Sequence, residues 1–211
     1  QESDQSIRDL EYQQSTLQKL EDSLEGYQIP VKRIMQKVQN DPAFAPEVKG
    51  PLASLLEVEQ EYATAIEIAL GASANHIVTA TEDSAKNLIE WLKNSKNGRA
   101  TFLPIDTIKA RKLDRQTLDI AAEHRGYLGV AAEIVKCSAE IKGIIGNILG
   151  KTLVVEDLPQ ALSLAKKLQH SSRIVTLSGE IINPGGSITG GSINSNSAGI
   201  IGRSGRITEL G

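Results

Sequence analysis

Two stretches of this chain repeat the same order of structure-forming residues, and that repetition limits the fold more than any other feature. Tyr62, Ile66, Leu70 and Gly71 match Ile141, Ile145, Leu149 and Gly150 at an offset of 79. Glu82-Asp83 and Arg99 match Glu156-Asp157 and Arg173 at an offset of 74, so one five-residue shortening before the strand reconciles the two. Each stretch reads as a helix closed by glycine, a strand, a capped helix and a second strand. In the first, Leu52 to Val58 is apolar and strand-like, and Glu59 to Leu70 has helical spacing. Ile77-Val78-Thr79 is a strand, Thr81 or Asp83 caps a helix through Leu92, and Ala100-Thr101-Phe102-Leu103 is a strand stopped by Pro104. In the second, Leu153-Val154-Val155 is the strand, Asp157 the cap, Ala161 to Leu168 the helix and Arg173 to Leu177 the next strand. A register kept through helix, strand, cap and strand indicates an internal duplication, giving two related α/β subdomains in an α/β (α+β) fold.

The ends of the chain follow a different period. Ile7, Leu10, Leu17 and Leu24 fit a and d positions of a heptad, with Gln14 and Glu21 as polar a positions. Ile200, Ile207 and Leu210 repeat that spacing, with Arg203 at a polar d. Neither segment is long enough to be stable alone, so the expected arrangement is an antiparallel coiled coil of the two. The resulting division is 1–26 coiled coil, 27–104 first subdomain, 105–130 linker, 131–199 second subdomain and 200–211 coiled coil. Both ends stop within helical sequence, as expected of a piece of a longer protein.

With 23 basic and 26 acidic residues among 211, the net charge of −3 announces no nucleic acid globally. Locally the balance reverses. Lys93, Lys96, Arg99, Lys109, Arg111, Lys112 and Arg115 face only Asp106 and Asp114 between residues 93 and 115. Cys137 is the lone cysteine, which fits a reducing cytoplasm and removes disulfides and paired-cysteine zinc sites. His76, His124 and His170 are far apart and have no ligand-spaced partners, so no metal is expected. No signal peptide and no bilayer-length apolar run is present.

The run Asn183-Pro184-Gly185-Gly186-Ser187-Ile188-Thr189-Gly190-Gly191-Ser192 carries four glycines in two pairs. Gly185, Gly190 and Ser192 sit at the spacing of a phosphate-binding GxxxxGK[ST] loop, but Gly191 occupies the lysine position. Residues 193–199 read as a flexible loop rather than as the helix such a site needs. A nucleotide-binding α/β module using Gly185 to Ser192 is the alternative reading. Glycine pairs equally suit a seam where two backbones approach closely. No catalytic constellation is present: Ser187 lacks a GxSxG context, and the repeated acid pairs suit helix starts.

The segments Gly98-Arg99-Ala100-Thr101-Phe102-Leu103-Pro104 and Pro184-Gly185-Gly186-Ser187-Ile188-Thr189-Gly190-Gly191, with Leu149-Gly150-Lys151-Thr152 and Glu57 to Gly71, resemble the hinge domain of structural maintenance of chromosomes (SMC) proteins. The likeness is strongest to the bacterial homodimeric type and covers about residues 27–200. It implies a dimerisation joint between two coiled-coil arms, with ATP and the kleisin partner held only at distant head domains. The hinge itself would be no enzyme and would carry no cofactor. The resemblance places the dimer interface at Gly185, Gly186, Ser187, Ile188, Thr189, Gly190 and Gly191. It also implies weak, non-specific DNA contact, for which the basic candidates are Lys109, Arg111, Lys112, Arg115, Arg203 and Arg206. Relatives with a lysine cluster after the glycine motif differ from this chain, whose residues 192–197 are uncharged. The location implied is the cytoplasm, on the nucleoid, with no membrane partner.

Overall fold

The computed structural model describes residues 2–193 and 199–210; of the loop expected at 193–199, residues 194–198 lie outside them. Helix α1 (Glu2–Asp22) leads into α2 (Ile29–Asn40), whose Val31, Ile34 and Val38 face the core at helical spacing. The first sheet has three strands in the order β1 (Val48–Pro51), β2 (Ile77–Thr79) and β3 (Phe102–Pro104). The β1/β2 pair is antiparallel and the β2/β3 pair parallel. Between them lie α3 (Ala63–Leu70) and α4 (Glu82–Ser95).

The stretch 105–130, expected as a linker, contains α5 (Arg115–Ala122) and β4 (Tyr127–Val130). There follow α6 (Ala131–Ile134), α7 (Lys142–Leu149), β5 (Thr152–Val155), α8 (Leu158–Lys167), β6 (Arg173–Thr176), β7 (Ile181–Ile182) and β8 (Ile188–Thr189). The last helix is α9 (Ile200–Leu210). The second sheet runs β4-β5-β6-β7-β8, and its β5/β6 pair is parallel while the others are antiparallel.

The two halves are copies, but their register differs from the one read in the sequence. Strand β4 follows β1 by 79, and both carry a bulge, between Val48 and Gly50 and between Tyr127 and Gly129. The partner strands are 76 apart, since Thr79 faces Val48 as Val155 faces Tyr127. Phe102 lies opposite Ile77 as Ile174 lies opposite Leu153, so the last strands are 72 apart. The single offset of 74 is therefore wrong: the spacing shortens by three residues before the strand and by four more within the helix, which has 14 residues in α4 and 10 in α8. The caps agree with 76. Thr81 Oγ1 accepts from the Ser84 N–H at 3.1 Å, and Asp157 Oδ1 from the Gln160 N–H at 2.9 Å. Thr81, not Asp83, is the counterpart of Asp157, because a cap needs a short side-chain oxygen at the residue before the first turn.

A second correction concerns Leu52 to Val58. Residues Leu52–Leu55 form a 3₁₀ turn, closed by the Ser54 hydroxyl donating to the Pro51 carbonyl at 2.8 Å. The strand is the preceding Val48–Pro51. A short apolar run has no period long enough to separate the two conformations.

One core joins the halves. Ile66, Ala69 and Ile77 from the first pack in the same cluster as Ile145, Leu149, Val154 and Val175 from the second. Leu153, Val155, Leu164 and Ile174 form another cluster. The alternation along β5, with Val154 in one cluster and its neighbours in the other, follows from a strand covered on both faces. The halves also meet through their backbones, where Glu57 and Lys136 exchange two hydrogen bonds of 2.9 Å.

The end helices pair as expected. Gln14 Nε2 donates to the Ile207 carbonyl at 3.4 Å, and Arg203 Nη1 to the Glu25 carbonyl at 2.5 Å. Partner numbers fall along α1 as they rise along α9, so the helices are antiparallel. Ile7 and Leu10, nearer the start of α1, remain exposed.

Candidate functional site

The glycine run folds into a hairpin at the edge of the second sheet. Ile182 stands opposite Ile188 and Ile181 opposite Thr189. The turn between them is dictated by sequence. Gly186 N–H donates to the Asn183 carbonyl at 2.9 Å, with Pro184 and Gly185 as the central residues. Proline presets the first central φ, and Gly185 supplies the positive φ of +92° that the second position of a type II turn demands. Asn183 N–H closes the hairpin on the Ser187 carbonyl at 2.9 Å, and Gly185 N–H staples the turn to the His170 carbonyl at 2.8 Å.

Within one chain the glycines therefore have distinct roles. Gly185, Gly186 and Gly191 all have positive φ, which a side chain at those positions would strain. Gly190 is different: a methyl there would lie 3.0 Å from Glu180 Cγ. Open space surrounds Gly185 and Gly191. The nucleotide alternative fares poorly here. The Gly185 and Gly186 N–H groups that would face a phosphate are already bonded to carbonyls, and β8, not a helix, follows the turn.

The hairpin leaves β8 as the outer strand of its sheet. Ile188 on it is 54% exposed, while Ile181 and Ile182 behind it are buried. Serine and glycine neighbours complete an uncharged surface from Ser187 to Ser192. This edge, though short, carries neither the charges nor the proline that commonly keep edge strands from pairing with another chain. The first sheet has a complementary feature. Its β3 is also an edge, whereas the equivalent β6 is covered by β7.

The basic candidates separate into two places. Lys109, Arg111 and Lys112 are exposed on a strap that lies along α7. Arg111 N–H donates to the Gly146 carbonyl at 3.2 Å, and Asn147 Nδ2 to the Lys109 carbonyl at 2.8 Å. Backbone bonds hold the strap and leave its cations in solvent. Arg115 pairs with Asp119 at 3.0 Å on the adjoining α5. Arg203 does not belong with them: it is 6% exposed and bonded to the Glu25 carbonyl, so its reading as a surface cation is corrected. Arg206 is exposed and shares with Arg203, Leu17, Glu67 and Ile193 a cavity of about 530 Å³ where α9 meets the globular body.

Around Arg203 lies a polar cluster that the sequence did not reveal. Burial pushes the Glu21 carboxyl up, against the opposing pull of the Arg203 guanidinium. Burial also raises Glu67, opposed by a hydrogen bond from the Ile200 N–H and by Arg203. Tyr27 is raised by burial and by the nearby Glu21 charge. The available signal was Glu67 itself, the lone charged residue of helix Ala63–Leu70, whose other residues are apolar save Thr64. Among the described residues no group of three or more His, Cys, Asp or Glu is arranged to hold a metal ion.

Two sheets sharing a core, an uncovered hairpin edge and paired helices entering and leaving together define a hinge-type module between coiled-coil arms. Residues 45–165 match the family described as SMC proteins Flexible Hinge Domain, and the chain belongs to that family. It is 46% identical over 163 residues to the chromosome partition protein Smc of Bacillus subtilis, covering 77% of this chain and 14% of that protein. It is 42% identical over 207 residues to the chromosome partition protein Smc of Desulfitobacterium hafniense, covering 96% of this chain and 17% of that protein. The chain thus spans 14–17% of the length of these relatives. Among solved structures, an asymmetric dimer of the Geobacillus stearothermophilus SMC hinge domain superposes with a TM-score of 0.87 at 33% identity, covering 99% of this chain and 82% of that one. The Pyrococcus furiosus SMC hinge domain gives a TM-score of 0.60 at 26% identity, over 93% of this chain and 96% of that one. No described helix is long and apolar enough to cross a membrane.

Proposed function

We propose that this chain is the homodimerisation hinge of a bacterial SMC chromosome partition protein, joining two coiled-coil arms. The observation that carries the reading is the uncovered β8 edge with Ile188 at its face. Adding a strand from a second copy satisfies that edge by main-chain hydrogen bonding and buries the isoleucine. The strand that fits is β3, because the first sheet stops where β7 continues the second. Two such joins, β8 to β3 in both directions, close a dimer with two arms. Likeness to the superposed Geobacillus protein, itself a dimer, supports this assembly.

The parent protein then acts in the cytoplasm on the nucleoid, with ATP and a kleisin engaged at head domains beyond the arms. The hinge needs no cofactor of its own. Its DNA contact is weak and sequence-independent, carried by Lys109, Arg111 and Lys112 on the strap, with Arg206 on the outgoing arm and Arg115 held back by Asp119.

The test is Ile188→Asp, which places a charge on the edge without touching the core. Light scattering should show a monomer at concentrations where the parent chain is a dimer, with circular dichroism unchanged. A variant that stays dimeric would overturn the interface.

A further inference from the structure

The outgoing arm begins abruptly at Ile200, preceded by Gly199. The first N–H groups of a helix need acceptors, and glycine offers no side-chain oxygen to supply one. The acceptor comes from elsewhere in the fold. The Glu67 carboxylate, projecting from α3, accepts the Ile200 N–H. A methyl group on Gly199 would fall on that carboxylate, so the absence of a side chain at 199 is what admits it. One turn later Arg203 is buried and donates to the Glu25 carbonyl at the end of the incoming arm. Its guanidinium also acts electrostatically on both Glu21 and Glu67.

We propose that Glu67 is a positioning residue that seats the outgoing arm on the hinge body, as a cap supplied to α9 by α3. Helix α3 is held by both halves of the molecule. Its Ala65, Ile66 and Ala69 lie in the shared core, and the Ala69 carbonyl at its end accepts Arg173 Nη1 from β6 at 2.8 Å. The arm is thus referred to an element that both subdomains grip, rather than to the incoming helix alone. A shift between the subdomains moves α3, and the cap carries that shift into the first turn of the arm. Arg203 supplies the second fixed point, on the incoming side. The device needs the carboxylate at the helix start, where negative charge also complements the helix dipole.

Hydrogen exchange on the whole chain tests this. Glu67→Ala should raise exchange at Ile200, Ile201 and Gly202 by about threefold to thirtyfold, the range expected when a helix cap is removed. Exchange in β5 and β6, and the oligomeric state, should not change. Glu67→Gln keeps an acceptor oxygen and should retain most of the protection, which a general packing defect would not reproduce. Gly199→Ala should copy Glu67→Ala from the other side of the interaction. The cap is overturned if Glu67→Ala leaves residues 200–202 as protected as before, or if Glu67→Gln is as damaging as alanine. A change spread equally over β5 and β6 would also overturn it. Failure to dimerise with protection at 200–202 intact would instead bear on the β8 edge, and would likewise leave Glu67 without its role as the cap.

Discussion

Replacing Gly146 with alanine should weaken this protein, although the position lies in the middle of α7, where that exchange ordinarily stabilises a helix by about 1 kcal/mol. The reason is the strap. An added Cβ at 146 would lie 2.6 Å from Ala110 Cβ and 3.2 Å from Ala110 Cα. Carbon atoms prefer about 3.5–4.0 Å, so the strap must retreat by about 1 Å at that point. Such overpacking costs about 1–3 kcal/mol. Retreat also lengthens the bond from Arg111 N–H to the Gly146 carbonyl, now 3.2 Å, and strains that from Asn147 to the Lys109 carbonyl. Each contributes about 1 kcal/mol. After the helix gain is subtracted, a net destabilisation of about 1–2 kcal/mol remains. In a protein of this size that lowers the melting temperature by roughly 2–8 °C. Urea unfolding at fixed protein concentration is the assay, since dimerisation makes stability concentration-dependent. Combining Gly146→Ala with Ala110→Gly removes the colliding methyl and should recover most of the stability, a clear departure from additivity. A raised urea midpoint for Gly146→Ala alone, or a double variant no better than the single, would refute the collision with the strap.

Two further outcomes follow from the charges. Replacing Lys109, Arg111 and Lys112 with alanine should reduce the dependence of duplex-DNA affinity on salt by roughly 0.9 in log–log slope for each phosphate no longer neutralised, as measured by fluorescence anisotropy. An unchanged slope would exclude the strap as the DNA-binding element. Glu21 is pushed up chiefly by burial, so the folded state binds its proton more tightly than the unfolded chain does. Its stabilising effect is therefore full below the ordinary carboxylate value and is lost as pH rises through the raised one. Glu21→Gln mimics the protonated form and should melt higher than the parent at pH 7.5, with the advantage vanishing near pH 4. An equal advantage at both values would contradict burial as the dominant cause.

The duplication was legible because i, i+4 apolar spacing closed by glycine survives in both copies, and those positions kept their offset of 79. Beyond the helix the letters misled. Glu82-Asp83 and Glu156-Asp157 look alike, yet the physical role repeats between Thr81 and Asp157, two different residues that share a short acceptor oxygen. Strand β1 was not legible, since Val48-Lys49-Gly50-Pro51 holds a glycine and a proline and no alternating apolar pattern, while the apolar run beside it is the turn. Its extended form comes from pairing with Ile77–Thr79, residues distant in sequence. In the hairpin, the Asn-Pro-Gly-Gly order announces its own geometry. Arg203 shows the opposite case. An arginine at a polar heptad position reads as solvated, and its burial is set by Glu21, Glu25 and Glu67, none of which is near it along the chain.

The backbone pair between Glu57 and Lys136 links two positions that are 79 apart, which is the offset of the copies themselves. A residue bonded to its own counterpart is the mark of a two-fold axis, here running through the middle of a single chain. Such a pairing has the form of an isologous contact between identical subunits. It forms the internal seam here, while β7 and β8, present in one half alone, make the outer edges of the two sheets unlike. Two identical halves would have only like edges to offer. This chain has two unlike edges, so under the proposed β8-to-β3 pairing two chains meet head to tail twice and close on themselves, leaving no free end from which a fibre could grow.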